Sequence, residues 1–490
     1  MSVLVIDVGT SSLRVATVSV DTSVGNVSRL AFPPSTPSPG LVEFDAVAMA
    51  AAVLDLAGRT IESFAGSPQA SDSDRIDALG ITAQRASTVV WDRSTGAPIG
   101  PALGWQDLRT VVECIMAKAD HGLALAPNQS ATKLVWLLNT YDPKRARDLL
   151  FGTVDTWIAW VVSGGSVHVT DHTNAAVTGL YDGAARTWSA HACDVLGVPM
   201  EMLPTLVDSC GELGIASALP GAPLIGGLAG DQQASLIGQG CVKPGMAKVT
   251  FGTGGMLDMC TGTEAPPDFR RSDNGTFPIV AWTRDGIANY GVEAIMLSAG
   301  TNVEWLRDDM GLIASSADSH EVASQCNDAD GVVYVPALLG LGTPRWDYGA
   351  RGTLLGITRG TGRPQIVRAV LEGIAQRGAD LVEAASADTG LDIPSLRVDG
   401  GMTANPTFVQ ALANATGKAV EVSPVIEATT LGAGYLAGLA AGTWSHLDEV
   451  ADSWAPSAVV EPNGSFDRDR WRQAVERSSR WIPELSALDF

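Results

Sequence analysis

The chain has 490 residues, of which 46% are hydrophobic and 53 are glycine, so it exceeds one compact core and predicts two or three domains joined by many tight turns. Its formal net charge of -22 argues against nucleic acid or an anionic membrane surface as a partner, because both require dense lysine and arginine. The six cysteines show no paired C-x-x-C spacing and form no ligand cluster with the six histidines, so free buried thiols are expected.

The first predicted elements are two strands joined by a short turn. The apolar run Val3–Ile6 leads into Asp7–Ser11, and the apolar run Leu13–Val18 follows. In such a hairpin the backbone N–H groups and the hydroxyls of Thr10 and Ser11 can face a phosphate group. The competing interpretation is an ordinary turn, because turns rich in Gly, Ser and Thr are common.

Two charged residues flank this turn. Asp7 ends the first strand, where a carboxylate can hold the water shell of Mg²⁺ while phosphate approaches the small residues beside it. Arg14 can point along the hairpin toward the phosphates and offset charge that develops on the transferred group. An Asp that only begins a turn and an exposed strand arginine are the alternatives, and both stay open at this point.

Strand-like and helix-like runs alternate farther along the chain. A helical stretch that includes Val53–Ala57 precedes the strand-like run Ile76–Ile81, and this alternation predicts an α/β architecture. The segment Gly238–Gly245, which is punctuated by Gly and Pro, predicts the main domain boundary near residue 244. We therefore expect an N-terminal domain over residues 1–244 and a C-terminal domain over residues 245–490.

A second carboxylate follows the apolar run Leu224–Ala229. Asp231 opens a helix-like stretch through Gln232–Ile237, so a helix N-cap is one interpretation of it. A carboxylate at a strand end that faces a nucleotide can instead accept a proton from a substrate hydroxyl while the γ-phosphoryl group is transferred. No histidine lies near a better placed turn, so Asp231 is the candidate general base.

The turn Gly252–Gly255 repeats the design of the first hairpin, since it lies between the strand-like runs Val249–Phe251 and Met256–Met259. A third turn, Asp399–Gly401, has glycines that permit flat approach of an adenosine, and Asn405 after it offers amide contacts. Together the three turns predict a split nucleotide site in a duplicated fold that closes on ATP. No Walker A motif and no G-x-G-x-x-G fingerprint stands where either would be needed, which disfavours P-loop and dinucleotide-binding proteins.

Several longer segments carry a family likeness that extends over nearly the whole chain: Phe151–Trp157, Val167–Asp171, Gly230–Ala234 and Gly340–Gly360. In these residues the chain resembles the FGGY family of carbohydrate kinases, and within it most closely the glycerol kinases. The segment Gly352–Glu372 is similar to the C-terminal signature of that family. The resemblance implies an α/β protein of two actin-like, ribonuclease H-like domains, with a cleft between them that closes over ATP, Mg²⁺ and a small sugar or polyol.

The resemblance also implies roles for individual residues. Asp231 corresponds to the general base, and both Asp7 and Asp231 correspond to carboxylates near the metal. Arg85 follows a strand, where an arginine is more often a surface ion-pair partner, but the resemblance makes it a ligand of the substrate. The residues implied to bind the acceptor are Arg85, Trp105, Asp231 and Gln232. Those implied to contact the nucleotide are Thr10, Ser11, Ser12, Arg14, Thr253, Gly254, Gly300, Glu304, Gly401 and Asn405.

The acceptor pocket departs from the glycerol kinase pattern at three positions. By the resemblance, Ala86 stands in place of a glutamate, Asn128 in place of a tyrosine and Met256 in place of a phenylalanine. Loss of a carboxylate and of an aromatic wall enlarges a pocket and abandons contacts made to a three-carbon triol. A C4 or C5 polyol or ketose, such as erythritol, threitol, xylitol or xylulose, is therefore an alternative acceptor to glycerol.

A protein of another class competes with the kinase. A non-catalytic actin-like sugar sensor would share the fold, but the retention of Asp7, Thr10, Asp231 and Thr253 favours catalysis. A repressor of this fold would carry a helix-turn-helix segment, whereas only two residues precede the first predicted strand. We expect a cytoplasmic enzyme, because no signal sequence or membrane-spanning run is evident. We also expect a homodimer or homotetramer, with no nucleic acid or membrane partner.

Overall fold

The computed structural model describes residues 2–65, 75–425 and 427–489. Strands and helices alternate along the chain, as the sequence pattern predicts, and the α/β class is confirmed. The strands are β1 (Ser2–Val8), β2 (Ser12–Ser19), β3 (Val24–Ala31), β4 (Glu43–Phe44), β5 (Ile76–Ala83), β6 (Val89–Asp92), β7 (Ala102–Leu103), β8 (Leu149–Gly152), β9 (Val169–Asp171), β10 (Tyr181–Asp182), β11 (Thr187–Trp188), β12 (Thr205–Val207), β13 (Cys210–Ile215), β14 (Leu224–Gly230), β15 (Ala247–Phe251), β16 (Gly255–Gly262), β17 (Phe277–Arg284), β18 (Ile287–Met296), β19 (Val333–Val335), β20 (Thr353–Leu355), β21 (Ser395–Asp399), β22 (Ala419–Val422) and β23 (Ala458–Val460).

Helices cover the sheet and connect its strands, and two short 3₁₀ turns lie at Met200–Met202 and Gly401–Ala404. The α-helices are α1 (Ala46–Ala65), α2 (Val111–His121), α3 (Ser130–Tyr141), α4 (Val154–Val162), α5 (His172–Ala175), α6 (Ala190–Leu196), α7 (Asp231–Gly238), α8 (Gly300–Asp308), α9 (Asp318–Ala323), α10 (Arg363–Thr389), α11 (Pro406–Thr416), α12 (Ala428–Ala440), α13 (Leu447–Asp452), α14 (Arg468–Ser478) and α15 (Pro483–Ser486). Among the residues described, no helix combines the length and apolarity needed to cross a membrane.

A 13-stranded sheet runs through the molecule in the order β23-β22-β21-β15-β16-β18-β17-β13-β14-β5-β1-β2-β3. In the N-terminal half, β1, β2 and β3 form an antiparallel set, β5 and β14 continue it in parallel with β1, and β13 is antiparallel to β14. The C-terminal half repeats this plan with β15, β16 and β18, then β21 and β22, then β23. The predicted duplication of architecture is therefore present in the strand order.

Each half has its own apolar core, and a third core lies between them. That third core packs α12 against α7 and against the N-terminal strands. The two helices cross with their backbones in contact, since a Cβ atom built on Gly432 would lie 1.8 Å from the carbonyl oxygen of Ala234. Only glycine permits so close an approach. The crossing fixes α7, whose first residue is Asp231, against an element of the C-terminal half.

The cysteines meet the sequence-based expectation. All six are free, and five of them are buried, with Cys326 half-buried. Burial raises the pKa of the Cys210 thiol to about 11 and that of the Cys241 thiol to about 12, so both stay protonated and unreactive near neutral pH.

Candidate active site

The first predicted hairpin is present. The loop between β1 and β2 begins at Gly9, whose N–H donates to the carbonyl oxygen of Ser12 at 2.9 Å, and this bond closes the turn. Ser11 is exposed, and Thr10 and Ser12 are half-buried. The hydroxyls of these three residues therefore lie on an open loop, where a phosphate group has access to them.

The second hairpin joins β15 to β16 and is extended by the start of α8. The N–H of Gly300, the first residue of α8, donates to the carbonyl oxygen of Gly252 at 2.9 Å, and Ala299 donates to the carbonyl oxygen of Thr253 at 2.8 Å. A Cβ atom on Gly300 would lie 2.6 Å from the Gly252 oxygen, so glycine is required for this contact. Thr253, Gly254 and Gly300 are thus brought together, and Glu304 is exposed one turn farther along α8.

The third turn lies at the end of β21. Gly401 begins a 3₁₀ turn, and a Cβ atom there would meet open space, so this backbone is accessible to a flat ligand. Asn405 is largely occupied inside the protein, because its Oδ1 accepts from the N–H of Phe408 at 3.1 Å and its Nδ2 donates to Ser319 at 2.9 Å. It caps α11, which leaves one N–H and one lone pair of the amide for a nucleotide.

Asp231 lies at the start of α7 without capping it. The N-cap residue is Gly230, and the Asp231 Oδ1 accepts from the adjacent N–H of Gln232 at 2.8 Å. Its side chain is 30% exposed. Desolvation in the cleft raises the pKa of Asp231 above its ordinary value, and the charge of Arg85 opposes that rise. The carboxylate is accessible and more basic than usual.

Arg85 connects this carboxylate to the C-terminal half. Its Nη2 donates to the Glu293 carboxylate on β18 at 2.6 Å, and its Nε lies 3.4 Å from the Asp231 Oδ1. Although burial opposes it, the Glu293 and Asp231 carboxylates raise the pKa of Arg85, which therefore stays charged. Its Nη1 is buried and has no hydrogen-bond partner among the residues described. That nitrogen can therefore donate a hydrogen bond to a hydroxyl of the substrate that receives the phosphate.

Gln232 is held from the C-terminal half as well. The Lys248 ammonium donates to the Gln232 Oε1 at 2.7 Å and forms an ion pair with Asp258 at 2.8 Å. Burial raises the pKa of the Asp258 carboxyl, and the charge of Lys248 opposes that rise. Lys248 and Asp258 therefore belong to the immediate surroundings of the site.

Trp105 links the acceptor residues to the first hairpin. Its Nε1 donates to the Thr10 hydroxyl at 3.1 Å, and its backbone N–H donates to the Ser87 hydroxyl at 3.0 Å. A side chain implied to bind the acceptor thus contacts a residue implied to bind phosphate. The two substrates' predicted sites adjoin at Trp105.

The three departures in the pocket lie in different surroundings. Ala86 is buried, with 5% exposure, and adopts a φ of 61°, a left-handed conformation that is unfavourable for residues with a Cβ atom. The Ser130 hydroxyl donates to the Ala86 carbonyl oxygen at 2.9 Å and holds this backbone in place. Asn128, two residues before Ser130, is exposed, and Met256 is half-buried on β16. The contact through Ser130 places the loop of Asn128 beside Ala86.

The sequence led us to expect that Arg14 points toward the phosphates, but in the structure its guanidinium contacts carboxylates. Its Nη1 donates to the Asp7 Oδ2 at 2.8 Å and also contacts Glu427, which precedes α12. Glu427 contacts Arg29 on β3 as well. Arg14 therefore bridges the first hairpin and the C-terminal half, and its predicted contact with phosphate requires it to share its guanidinium with these carboxylates.

The surroundings of Asp7 fit a hydrated cation. Burial raises the pKa of Asp7 to about 6, Arg14 lowers it, and the nearby Asp231 carboxylate raises it. Two carboxylates that repel each other across a cleft are stabilised by a divalent cation between them. Among the described residues no group of three or more His, Cys, Asp or Glu side chains is arranged to hold a metal. Mg²⁺ does not need such a group, because it commonly keeps several waters and binds through one or two carboxylates and the phosphates.

Sequence reasoning missed Lys248, Asp258, Glu293 and Glu427. A signal for the first two was available, because a hairpin in which Phe251 pairs with Gly255 brings Lys248 opposite Asp258. Opposite charges at paired positions of apolar strands indicate a buried ion pair. Glu293 and Glu427 come from distant parts of the chain, and no local pattern indicates their contacts.

Known proteins resemble this chain over nearly its whole length. The N-terminal domain of the FGGY family of carbohydrate kinases matches residues 2–238, and the C-terminal domain of that family matches residues 247–441. A glycerol kinase of Halorhodospira halophila is 41% identical over 98% of this chain and 97% of that protein.

Solved structures agree with this likeness. The glycerol kinase of Plasmodium falciparum, solved with ADP, has a TM-score of 0.90 and 30% identity, covering 97% of this chain and 98% of its own. A xylulose kinase from Lactobacillus acidophilus has a TM-score of 0.82 at 20% identity, covering 99% of this chain and 96% of its own, and it supports the fold alone. The expected family resemblance and the expected pair of actin-like domains are confirmed.

Proposed function

The chain belongs to the FGGY family of carbohydrate kinases, and from that premise we propose that it transfers phosphate from ATP to a small acyclic polyol, with Asp231 as the general base. ATP-dependent phosphorylation of a polyol or sugar hydroxyl follows from the family and from the glycerol kinase relatives. The non-catalytic sensor considered from the sequence is accordingly not favoured. The finer assignments below rest on the geometry of the cleft.

The single observation that carries the proposal is the placement of Asp231. It is an accessible carboxylate with a raised pKa, held by the Gln232 N–H and by Arg85, at the meeting point of the two halves. A general base works best when its pKa lies near the working pH, so a raised pKa suits it to accept a hydroxyl proton. Arg85 fixes the carboxylate and keeps the Nη1 donor for another hydroxyl of the same acceptor.

The nucleotide is proposed to lie across the three glycine turns. Backbone N–H groups and hydroxyls of the two hairpins bind the phosphates, and the open backbone at Gly401 receives the adenosine. Asp7 and Asp231 would hold Mg²⁺ through its water shell. Bound there, Mg²⁺ would neutralise negative charge on the phosphates. Closure of the cleft then excludes water, which would otherwise compete with the acceptor for the γ-phosphoryl group.

Glycerol is the reference acceptor, because the relatives reported above are glycerol kinases. The C4 or C5 acceptor considered from the sequence is not favoured by those relatives. The side chain of Ala86 nevertheless has no hydrogen-bonding group, so the side chains left to bind the hydroxyls of the substrate are those of Arg85, Asp231, Gln232 and Trp105. An acyclic polyol, whose neighbouring hydroxyls can each reach one of these side chains, fits that set.

An acceptor panel tests the proposal. Release of ADP from ATP is measured with glycerol, erythritol, threitol, xylitol and xylulose, with and without Mg²⁺. We expect Mg²⁺-dependent ADP release with a small acyclic polyol and a product that carries phosphate on a hydroxyl. Absence of polyol-dependent release across the panel would contradict the acceptor class.

We also propose a cytoplasmic location and a homodimer or homotetramer. ATP is the phosphate donor, and the six free cysteines suit a reducing compartment. Light scattering of the purified protein measures the oligomeric state, and a monomer at micromolar concentration would contradict that part.

A further inference from the structure

The buried ion pair between Lys248 and Asp258 lies beside the proposed acceptor site, and the mechanism above gives it no role. Both side chains have 0% exposure. Removal of two charges from water carries a large desolvation cost, and an apolar pair of similar volume is often as stable. A pair kept at such a place therefore calls for a reason other than stability.

The contacts of Lys248 indicate that reason. Its ammonium group reaches the Gln232 Oε1 at 2.7 Å, the Asp258 Oδ2 at 2.8 Å and the Thr250 hydroxyl at 3.1 Å. An ammonium group can only donate, and here it makes two hydrogen bonds and one ion pair. Because the side chain is also fully buried, its partners are these three protein oxygens and not a phosphate.

The same contact determines how the Gln232 amide is oriented. Because an ammonium group can only donate, it must face the amide oxygen and not the amide nitrogen. We propose that Lys248, held by Asp258, is a positioning residue that fixes the Gln232 amide so that its nitrogen is presented to an acceptor hydroxyl. This inference rests on the proposed function, in which Gln232 binds the acceptor.

The strand register supports the inference. Asp258 lies opposite Lys248 in the β15–β16 pair and opposite Glu293 in the β16–β18 pair, so the three charges form one row across adjacent strands. Glu293 holds Arg85 at 2.6 Å, and Lys248 holds Gln232. Charged residues from one row of the C-terminal half thus hold both Arg85 and Gln232, the two residues of the N-terminal half that are proposed to bind the substrate. Asp258 makes no hydrogen bond among the described residues beyond its ion pair, so its contact with Lys248 is its main polar contact.

A double-mutant cycle tests the inference. The pair is replaced as a unit in K248M/D258L, which leaves no unpaired buried charge, and it is combined with Q232A. We expect Q232A and the pair variant each to raise the KM for the acceptor about tenfold, as loss of a hydrogen bond involving a charged group would. The KM for ATP should change less than about twofold, and kcat should fall less than the acceptor KM rises. In the Q232A background the pair replacement should raise the acceptor KM by less than about twofold further.

Thr250→Val is the matched control, since it removes another contact of Lys248 and leaves Gln232 untouched. We expect it to leave the acceptor KM within about twofold of the wild-type value. Should the pair variant fail to fold, Asp258→Asn keeps the shape of the side chain, and a raised acceptor KM with an unchanged KM for ATP is expected there too.

The outcomes separate the two proposals. If Q232A raises the acceptor KM while K248M/D258L and D258N leave it normal, the inference about Lys248 is overturned and the acceptor role of Gln232 stands. Equal effects of the pair replacement with and without Gln232 would also overturn it, because Lys248 would then act by another route. A normal acceptor KM in Q232A would overturn the acceptor role of Gln232 itself, and the inference with it.

Discussion

Carboxylates in the cleft and carboxylates in the core of the N-terminal half are stabilised in opposite ways. In the cleft, Asp231 and Glu293 contact the Arg85 guanidinium, and Asp258 contacts Lys248. In the core of the N-terminal half, Asp155 and Asp171 form no ion pair with lysine or arginine among the described residues.

Hydroxyls and amides stabilise the second cluster. Asp155 accepts from Thr153 and from the Thr170 hydroxyl, the latter at 2.7 Å. Asp171 accepts from the Ser209 hydroxyl at 2.6 Å and from other donors of its own turn. Burial raises the pKa of Asp155 to about 7. A raised carboxyl pKa alone therefore does not mark catalysis here. In the cleft, by contrast, the carboxylates are paired with cations, and the Arg85 Nη1 beside them has no hydrogen-bond partner among the described residues.

Asp231→Asn should give the largest effect, and Asp155→Asn is its matched control. Loss of a general base lowers kcat by about 10²–10⁴-fold, whereas the same change at Asp155 should keep kcat within about threefold. ADP release with saturating acceptor and MgATP measures both, and nucleotide binding by D231N checks that the cleft is intact. Near-normal turnover in D231N would contradict the assignment of the base.

Arg85→Met separates support of the cleft from acceptor binding. Removal of the guanidinium leaves Glu293 buried without its partner and should destabilise the fold by about 3–5 kcal/mol. It should also raise the acceptor KM by about 10–10²-fold, because a charged donor to a hydroxyl is lost. In R85M/E293Q stability should largely return while the acceptor KM stays high. Recovery of both in the double variant would indicate that Arg85 only supports the fold.

The parts of the site that depend on local sequence were predictable. The two hairpins predicted to bind phosphate and the helix that begins at Asp231 follow from short apolar runs and the turns between them, and the structure has these elements. Asp231 is not the N-cap of that helix, because Gly230 takes the N-cap position and the Asp231 Oδ1 accepts from the adjacent Gln232 N–H.

The parts of the site that depend on long-range strand pairing could not be predicted from the sequence. Glu293 reaches Arg85 because β18 pairs directly with β16 and leaves β17 outside it, which reverses the order expected from a simple meander. The left-handed backbone of Ala86 is also hidden, because alanine is locally unfavourable there and surrounding contacts such as the Ser130 hydrogen bond hold it.

A stability measurement sharpens the contrast for Asp155. Its pKa is raised from 3.8 to about 7 in the folded state, so the stability this group contributes is full below pH 3.8 and is lost as the pH rises toward 7. Asn cannot titrate, so the free energy of unfolding of the wild type relative to D155N should fall by about 3 kcal/mol between about pH 5 and pH 8. Urea unfolding of both proteins at the two pH values measures this. A difference that does not change with pH would contradict the raised pKa.

The acidic limb of the rate profile should belong to the cleft alone. Burial raises the pKa of Asp7 to about 6, so this carboxyl binds a proton as the pH falls below about 6. Burial also raises the pKa of Asp231, so that carboxyl binds its proton at a higher pH than an ordinary aspartate does. Protonated, Asp7 loses its attraction for Mg²⁺ and Asp231 cannot accept a proton. The value of kcat/KM for MgATP should therefore fall, by up to about tenfold per pH unit for each group. D155N should show the same profile as the wild type, because Asp155 contacts neither substrate.

Since bound Mg²⁺ favours the ionised form of Asp7, the limb in kcat at saturating MgATP should lie at lower pH than the limb in kcat/KM. A profile that is flat between about pH 5 and pH 7, or one that D155N shifts, would place the titrating groups outside the cleft.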